Sequence, residues 1–209
     1  MKRRNFIKNT SFSMAALMIN PPASYQEDTI LGQNNKRYKI DTHWSQADVA
    51  KYPVNDCHEM VQDSKGRILL LTNETKNNVL IYDKKGKLLT TWGNEYPGAH
   101  GLTLFDENGT EVLFICDNKR HQVIKTTIDG RVLMVLDYPK ETGQYSKAEE
   151  YIPTETAITP TGDIYVADGY GKDFIIHYDS TGRYLDYFGG RGSEEKHLLN
   201  AHGICLQNC

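Results

Sequence analysis

Apolar residues between positions 54 and 206 come in short runs, rich in Val, Ile, Leu, Tyr and Thr, and separated by turns that carry a glycine. Runs of that length and composition, bounded by turn residues, predict β-strands. The turns read Asp63-Ser-Lys-Gly66, Lys84-Lys-Gly-Lys87, Ile128-Asp-Gly-Arg131 and Ser180-Thr-Gly-Arg183. Each places glycine where a tight hairpin needs a positive φ. The 3.6-residue helical period is scarce, and only Ser45–Tyr52 and Ser146–Tyr151 have the composition of short helices.

The pattern repeats. One copy covers about 54–93, a second about 97–137 and a third about 153–190, and a further copy opens at Ala201-His-Gly-Ile-Cys-Leu206. Self-similarity at a period of roughly 40–50 residues marks a repeat architecture. With four predicted strands in each copy, the fold class is all-β, a β-propeller of four-stranded antiparallel blades. A two-sheet sandwich would not repeat in register three times. Propellers close with about four to eight blades, so the chain is expected to be the N-terminal part of a longer, six-bladed ring. The alternative is a short chain that pairs with another copy.

Residues 1–20 carry four basic side chains (Lys2, Arg3, Arg4, Lys8) and no acid, followed by an apolar run from Phe12 to Ile19. About eight apolar residues cannot cross a hydrocarbon layer of about 30 Å, so no stable membrane span is expected. Arg3-Arg4-Asn-Phe-Ile-Lys8 resembles a bacterial twin-arginine export signal. Residues 1–23 are therefore expected to be that signal and 24–53 a lead-in, with the propeller from 54 to 209. The expected location is the periplasm or outside the cell.

Composition adds little to the fold and more to the partners. The net charge is −3, from 24 basic and 27 acidic residues, and without the four basic groups of the first twenty residues, 20 basic against 27 acidic residues leave −7. An acidic body without a basic patch makes nucleic acid an unexpected partner, because phosphate neutralisation dominates that affinity. Cys57, Cys116, Cys205 and Cys209 form neither a CxxC nor a dense disulfide framework. Export would permit disulfides, but the spacing leaves any pairing open, with buried free thiols the default.

Candidate chemistry follows from the phase of the repeat. Counting back eight residues from the turn glycines Gly66 and Gly162 reaches His58 and Thr154. The second copy has one residue more before Gly109 and places His100 there; the fourth places His202. First strands of propeller blades line the central channel, so these imidazoles should converge at one level. Neutral imidazole is the commonest protein ligand for zinc, and a catalytic zinc keeps three protein ligands and an open position. The phase alone offers His58, His100 and His202 alike as candidate ligands. The plainer reading is channel-lining histidines bonded to backbone. Calcium is a second candidate ion for the channel. His121 and His177, off this phase, are expected to serve packing.

The order of His100-Gly-Leu-Thr-Leu, His121-Gln-Val-Ile-Lys, Pro153-Thr-Glu-Thr-Ala-Ile, Asp168-Gly-Tyr-Gly-Lys-Asp-Phe, Phe188-Gly-Gly-Arg-Gly and Ala201-His-Gly resembles the peptidyl-α-hydroxyglycine α-amidating lyases, six-bladed propellers related to NHL-repeat proteins. The resemblance covers about residues 54–206. It implies that His100 and His202 are two of three zinc-binding histidines, with the third beyond Cys209, which leaves His58 an extra and the less secure ligand, and that Tyr170 is the catalytic tyrosine. It implies a peptide or small-molecule substrate, a hydroxylated amide whose C–N bond is cleaved. Two departures stand out. No arginine occupies Asn55–Met60, where the family carries an essential one, and Gly171 replaces the cysteine that follows the tyrosine in animal lyases. Two other classes remain: a non-catalytic NHL propeller that binds protein or glycan, and a lactonase-like hydrolase on an axial calcium. The latter wants Glu, Asn and Asp at the channel phase.

Overall fold

The computed structural model describes residues 30–206. The proposed export signal, residues 1–23, and Cys209 lie outside the described residues. Two compact units divide the chain, Met1–His43 and Trp44–Cys209. The described part of the first is a hairpin of strands β1 (Ile30–Gln33) and β2 (Lys36–Lys39). Its two-residue turn begins at Asn34, at φ 54°, a conformation that asparagine tolerates better than most residues. This hairpin falls inside the segment read from sequence as a lead-in.

The second unit is three blades of a β-propeller. The first sheet contains β3 (Glu59–Gln62), β4 (Ile68–Leu71), β5 (Val79–Tyr82) and β6 (Leu88–Trp92), antiparallel in chain order. The second contains β7 (Ala99–Glu107), β8 (Thr110–Asp117), β9 (Gln122–Thr127) and β10 (Val132–Leu136). The third contains β11 (Glu155–Ile158), β12 (Ile164–Ala167), β13 (Phe174–Tyr178) and β14 (Tyr184–Gly189). Innermost strand β7 touches both β3 and β11, so the three first strands form a continuous wall around the channel.

The alternation of β8 shows why the blades stack. Leu113 and Ile115 pack with Leu69, Leu71, Val79 and Ile81 of the first blade. Val112, Phe114 and Cys116 point the other way, into Ile164, Val166, Ile176 and Tyr178 of the third. A strand's side chains alternate between its two faces, and here both faces are apolar because both are covered. Leu113, Ile115 and Cys116 are fully buried. Each such side chain contributes about 1.5–3 kcal/mol of hydrophobic stabilisation.

Two local expectations change. Ser45–Tyr52 is not helical. The Asp48 carbonyl accepts from the N–H groups of Lys51 and Tyr52, and the Asp48 carboxylate accepts from Ala50. That closes one turn, and Pro53 follows, a residue whose predecessor is disfavoured in the helical region. The segment from Ser146 to Tyr151 shortens to a 3₁₀ turn at Ala148–Glu150, and a second such turn occupies Lys140–Thr142. Among the described residues no helix is long and apolar enough to cross a membrane.

Candidate functional site

Site geometry starts from an irregularity in β7. Ala99 faces Asp117 across the β7–β8 pair, whereas Leu102 already faces Ile115. One extra residue is therefore accommodated at His100-Gly101. Bulges of this kind re-aim side chains and are common beside active sites. This one carries the extra residue noted in the second copy. It turns His100 toward the third blade, where its Nδ1 lies 2.9 Å from the Thr154 carbonyl oxygen. Glycine is required at 101, because a Cβ there would come within 2.4 Å of that same carbonyl oxygen.

A carbonyl only accepts, so Nδ1 of His100 carries the proton and Nε2 of the neutral ring keeps its lone pair. His100 is buried. Burial, with the imidazoles of His58 and His202 adding to it, holds its pKa below the ordinary histidine value despite the Thr154 bond. The ring thus stays neutral, the form that ligates metals.

Tyr170 stands on the turn between β12 and β13. Its hydroxyl is 2.5 Å from Nε2 of His202 and 3.4 Å from Nε2 of His100. One hydroxyl proton faces two imidazole nitrogens. The turn is tied down by buried Asp168, which accepts from the N–H groups of Ile152 and Lys172 and from the Tyr145 hydroxyl. Buried Asp173 accepts from Arg191 and from the N–H of Ala201, and so holds the residue before His202. Thr154, at the histidine phase of the third blade, adds a second tie. Its hydroxyl donates to the Ala201 carbonyl at 2.8 Å.

The structure thus brings His58, His100, His202 and Tyr170 to one end of the channel, each by a different segment. Ring centres of His100 and His202 are 4.8 Å apart, those of His58 and His100 are 3.9 Å apart and stacked, and those of His58 and His202 are 6.2 Å apart. Two imidazoles on one tetrahedral zinc, each about 2.0–2.1 Å from it, set their ring centres about 5 Å apart. The His100–His202 pair fits that spacing, with both Nε2 atoms directed at the Tyr170 hydroxyl. The 3.9 Å stack of His58 and His100 is closer than that spacing, so as arranged these two rings do not suit one tetrahedral ion. Among the described residues no three His, Cys, Asp or Glu side chains form a complete metal-binding group. The other histidines are elsewhere. The His121 ring bonds the Tyr151 carbonyl oxygen, and His177 stacks on Tyr165.

Below the histidines is a cavity of about 630 Å³, lined by His58, Glu59, His100, Thr103, Glu155 and His202 among others. Two carboxyls therefore reach the channel one residue past the His58 and Thr154 phase, which the repeat alignment did not single out. Burial, followed by a hydrogen bond to Glu59, pushes the Glu155 pKa up to about 8. Glu155 therefore keeps its proton at neutral pH. The signal for the pair was present in the first strands, as Glu59 and Glu155 occupy equivalent places. The tie through Asp173 had no such signal, because it depends on where the chain returns after β14.

No family model matches the chain. Over 108 residues, half of this chain, it is 32% identical to peptidyl-alpha-hydroxyglycine alpha-amidating lyase 1 of Drosophila melanogaster, and the match covers 19% of that protein. Over 172 residues, 80% of this chain, it is 27% identical to a probable peptidyl-alpha-hydroxyglycine alpha-amidating lyase of Caenorhabditis elegans, with 45% of that protein covered. The matches thus span less than half the length of either relative. Among solved structures, a catalytically inactive virginiamycin B lyase from Staphylococcus aureus with quinupristin aligns with a TM-score of 0.49 at 13% identity, covering 73% of this chain and 44% of that one.

Proposed function

We propose that the chain is part of an exported, zinc-dependent propeller lyase that cleaves the C–N bond of a hydroxylated amide. The observation that carries this reading is the Tyr170 hydroxyl held between Nε2 of His100 and Nε2 of His202. Similarity to amidating lyases supports the reaction class, and the paired arginines at 3 and 4 support export.

His100 and His202 are the residues that would hold the metal. Bound zinc supplies Lewis acidity, lowering the pKa of a substrate hydroxyl. The chain's own groups then handle the proton. Tyr170, acting as its phenolate, would accept it from the hydroxyl on the carbon that bears the amide nitrogen. As that oxygen becomes a carbonyl, the C–N bond breaks and its electron pair goes to nitrogen. The proton ends on that nitrogen, giving a primary amide and an aldehyde.

The test uses the full protein and an N-acyl-α-hydroxyglycine. Zinc-loaded protein should release the amide and glyoxylate, a chelator should stop it, and added zinc should restore it. Turnover indifferent to chelation, or none at full zinc occupancy, removes the lyase reading and leaves a binding propeller.

Thr154 offers a graded check on the metal pair. Thr154→Val keeps the carbonyl that orients His100 but removes the hydroxyl that holds Ala201 beside His202. Zinc affinity, measured by chelator competition, should fall about tenfold, the lower end of what supporting groups around metal ligands contribute. Thr154→Ser should restore it.

A further inference from the structure

The polar side chains around the 630 Å³ cavity are almost all committed to the protein. Glu59 accepts from the N–H of Leu102, and Glu155 accepts from the Thr103 hydroxyl and the Thr156 N–H. Thr103 and Thr156 bond each other, and Gln62 donates to the Gly66 carbonyl. His100 is fixed by Thr154 and His202 by Tyr170. His58 is different. It is exposed, it lines the cavity, and its contacts among the described residues are ring contacts with His100 and His202.

We propose that His58 is a substrate-binding residue, whose ring edge hydrogen-bonds a carbonyl or carboxylate oxygen of the hydroxylated amide, and not a metal ligand. The inference rests on the lyase reading for the identity of the substrate. Three features support it. The 3.9 Å stack on His100 is closer than the spacing of two imidazoles that share one tetrahedral ion. The same stack fixes the plane of an otherwise exposed ring, so its donor meets a ligand without first losing much rotamer freedom. Finally, the Glu59 and Glu155 oxygens that line the cavity are already bonded to Leu102, Thr103 and Thr156, so an imidazole N–H at its edge supplies a donor for a substrate oxygen.

An inert N-acylglycine, which lacks the hydroxyl and cannot react, separates binding from chemistry. His58→Ala should raise its dissociation constant about two- to tenfold, the range of one net hydrogen bond. Zinc content should stay at the level of the unsubstituted protein. His58→Gln, which keeps a donor, should recover most of the affinity. Loss of zinc in His58→Ala, in step with His100→Ala, would make His58 a ligand and overturn the proposal. So would an unchanged dissociation constant, or no binding of the N-acylglycine to the unsubstituted protein. Binding that depends on His58, without turnover of the hydroxylated substrate, would instead remove the lyase reading and leave His58 as a ligand contact.

Discussion

On the proposed zinc-lyase reading, His100→Ala should remove most of the bound zinc, and with it turnover. His100 is the best prepared of the site's imidazoles: it is buried, its Nδ1 proton is committed to the Thr154 carbonyl, and burial keeps it neutral. Alanine leaves His202 without the partner ring 4.8 Å away. Losing a supporting group around a metal costs about 10–100-fold in affinity, and losing a direct ligand should cost at least the upper end of that range. Metal analysis after dialysis reads the result. His121→Ala is the control, since His121 bonds the Tyr151 carbonyl and takes no part in the histidine cluster. Full zinc occupancy in His100→Ala would refute the metal reading. Equal loss in both variants would point to general damage instead.

Tyr170→Phe has the second large effect, and its signature is different. Tyr170 is 43% exposed, so phenylalanine fits without repacking the core. Only the oxygen between the two Nε2 atoms is lost. If that oxygen moves the substrate proton, kcat should fall about 10²–10⁴-fold, the usual contribution of a positioned acid–base group. Zinc content and the dissociation constant of an N-acylglycine should hardly change. A kcat within about threefold of the original would demote Tyr170 to a residue that only shapes the rim. The loop itself should tolerate the change, because Asp168 and Asp173 hold it through backbone and neighbouring side chains and not through the Tyr170 hydroxyl.

Much of the architecture was legible in the sequence, because every blade repeats the same period-two strands and glycine turns. The convergence of His58, His100 and His202 was legible too, as a shared phase counted from those glycines. Phase gives height on a wall and says nothing of ring orientation. It therefore treated His58 as equivalent to His100, whereas the bulge at His100-Gly101 sets the two rings face to face. Phase also passed over Thr154 as the position without a histidine, although its carbonyl and hydroxyl tie both candidate ligands. The hairpin of β1 and β2 was missed because Asn34-Asn35 lacks the glycine that usually marks such a turn. Ser45–Tyr52 misled for a simpler reason: polar residues of good helix propensity do not make a helix without a face to bury.

The two-sided burial of β8 has a consequence for motion. Its odd-numbered core residues lock the first blade and its even-numbered ones the third. The middle sheet cannot peel away from one neighbour without also opening its packing against the other, so a local fluctuation there costs close to complete unfolding. His100 is carried by β7, the strand hydrogen-bonded along the inner edge of β8. The outer strands β6, β10 and β14 expose Leu89, Leu133 and Leu185 and can breathe at less cost. The wall that bears His100 is thus expected to act as a fixed frame, with motion left to the rim and the outer edges.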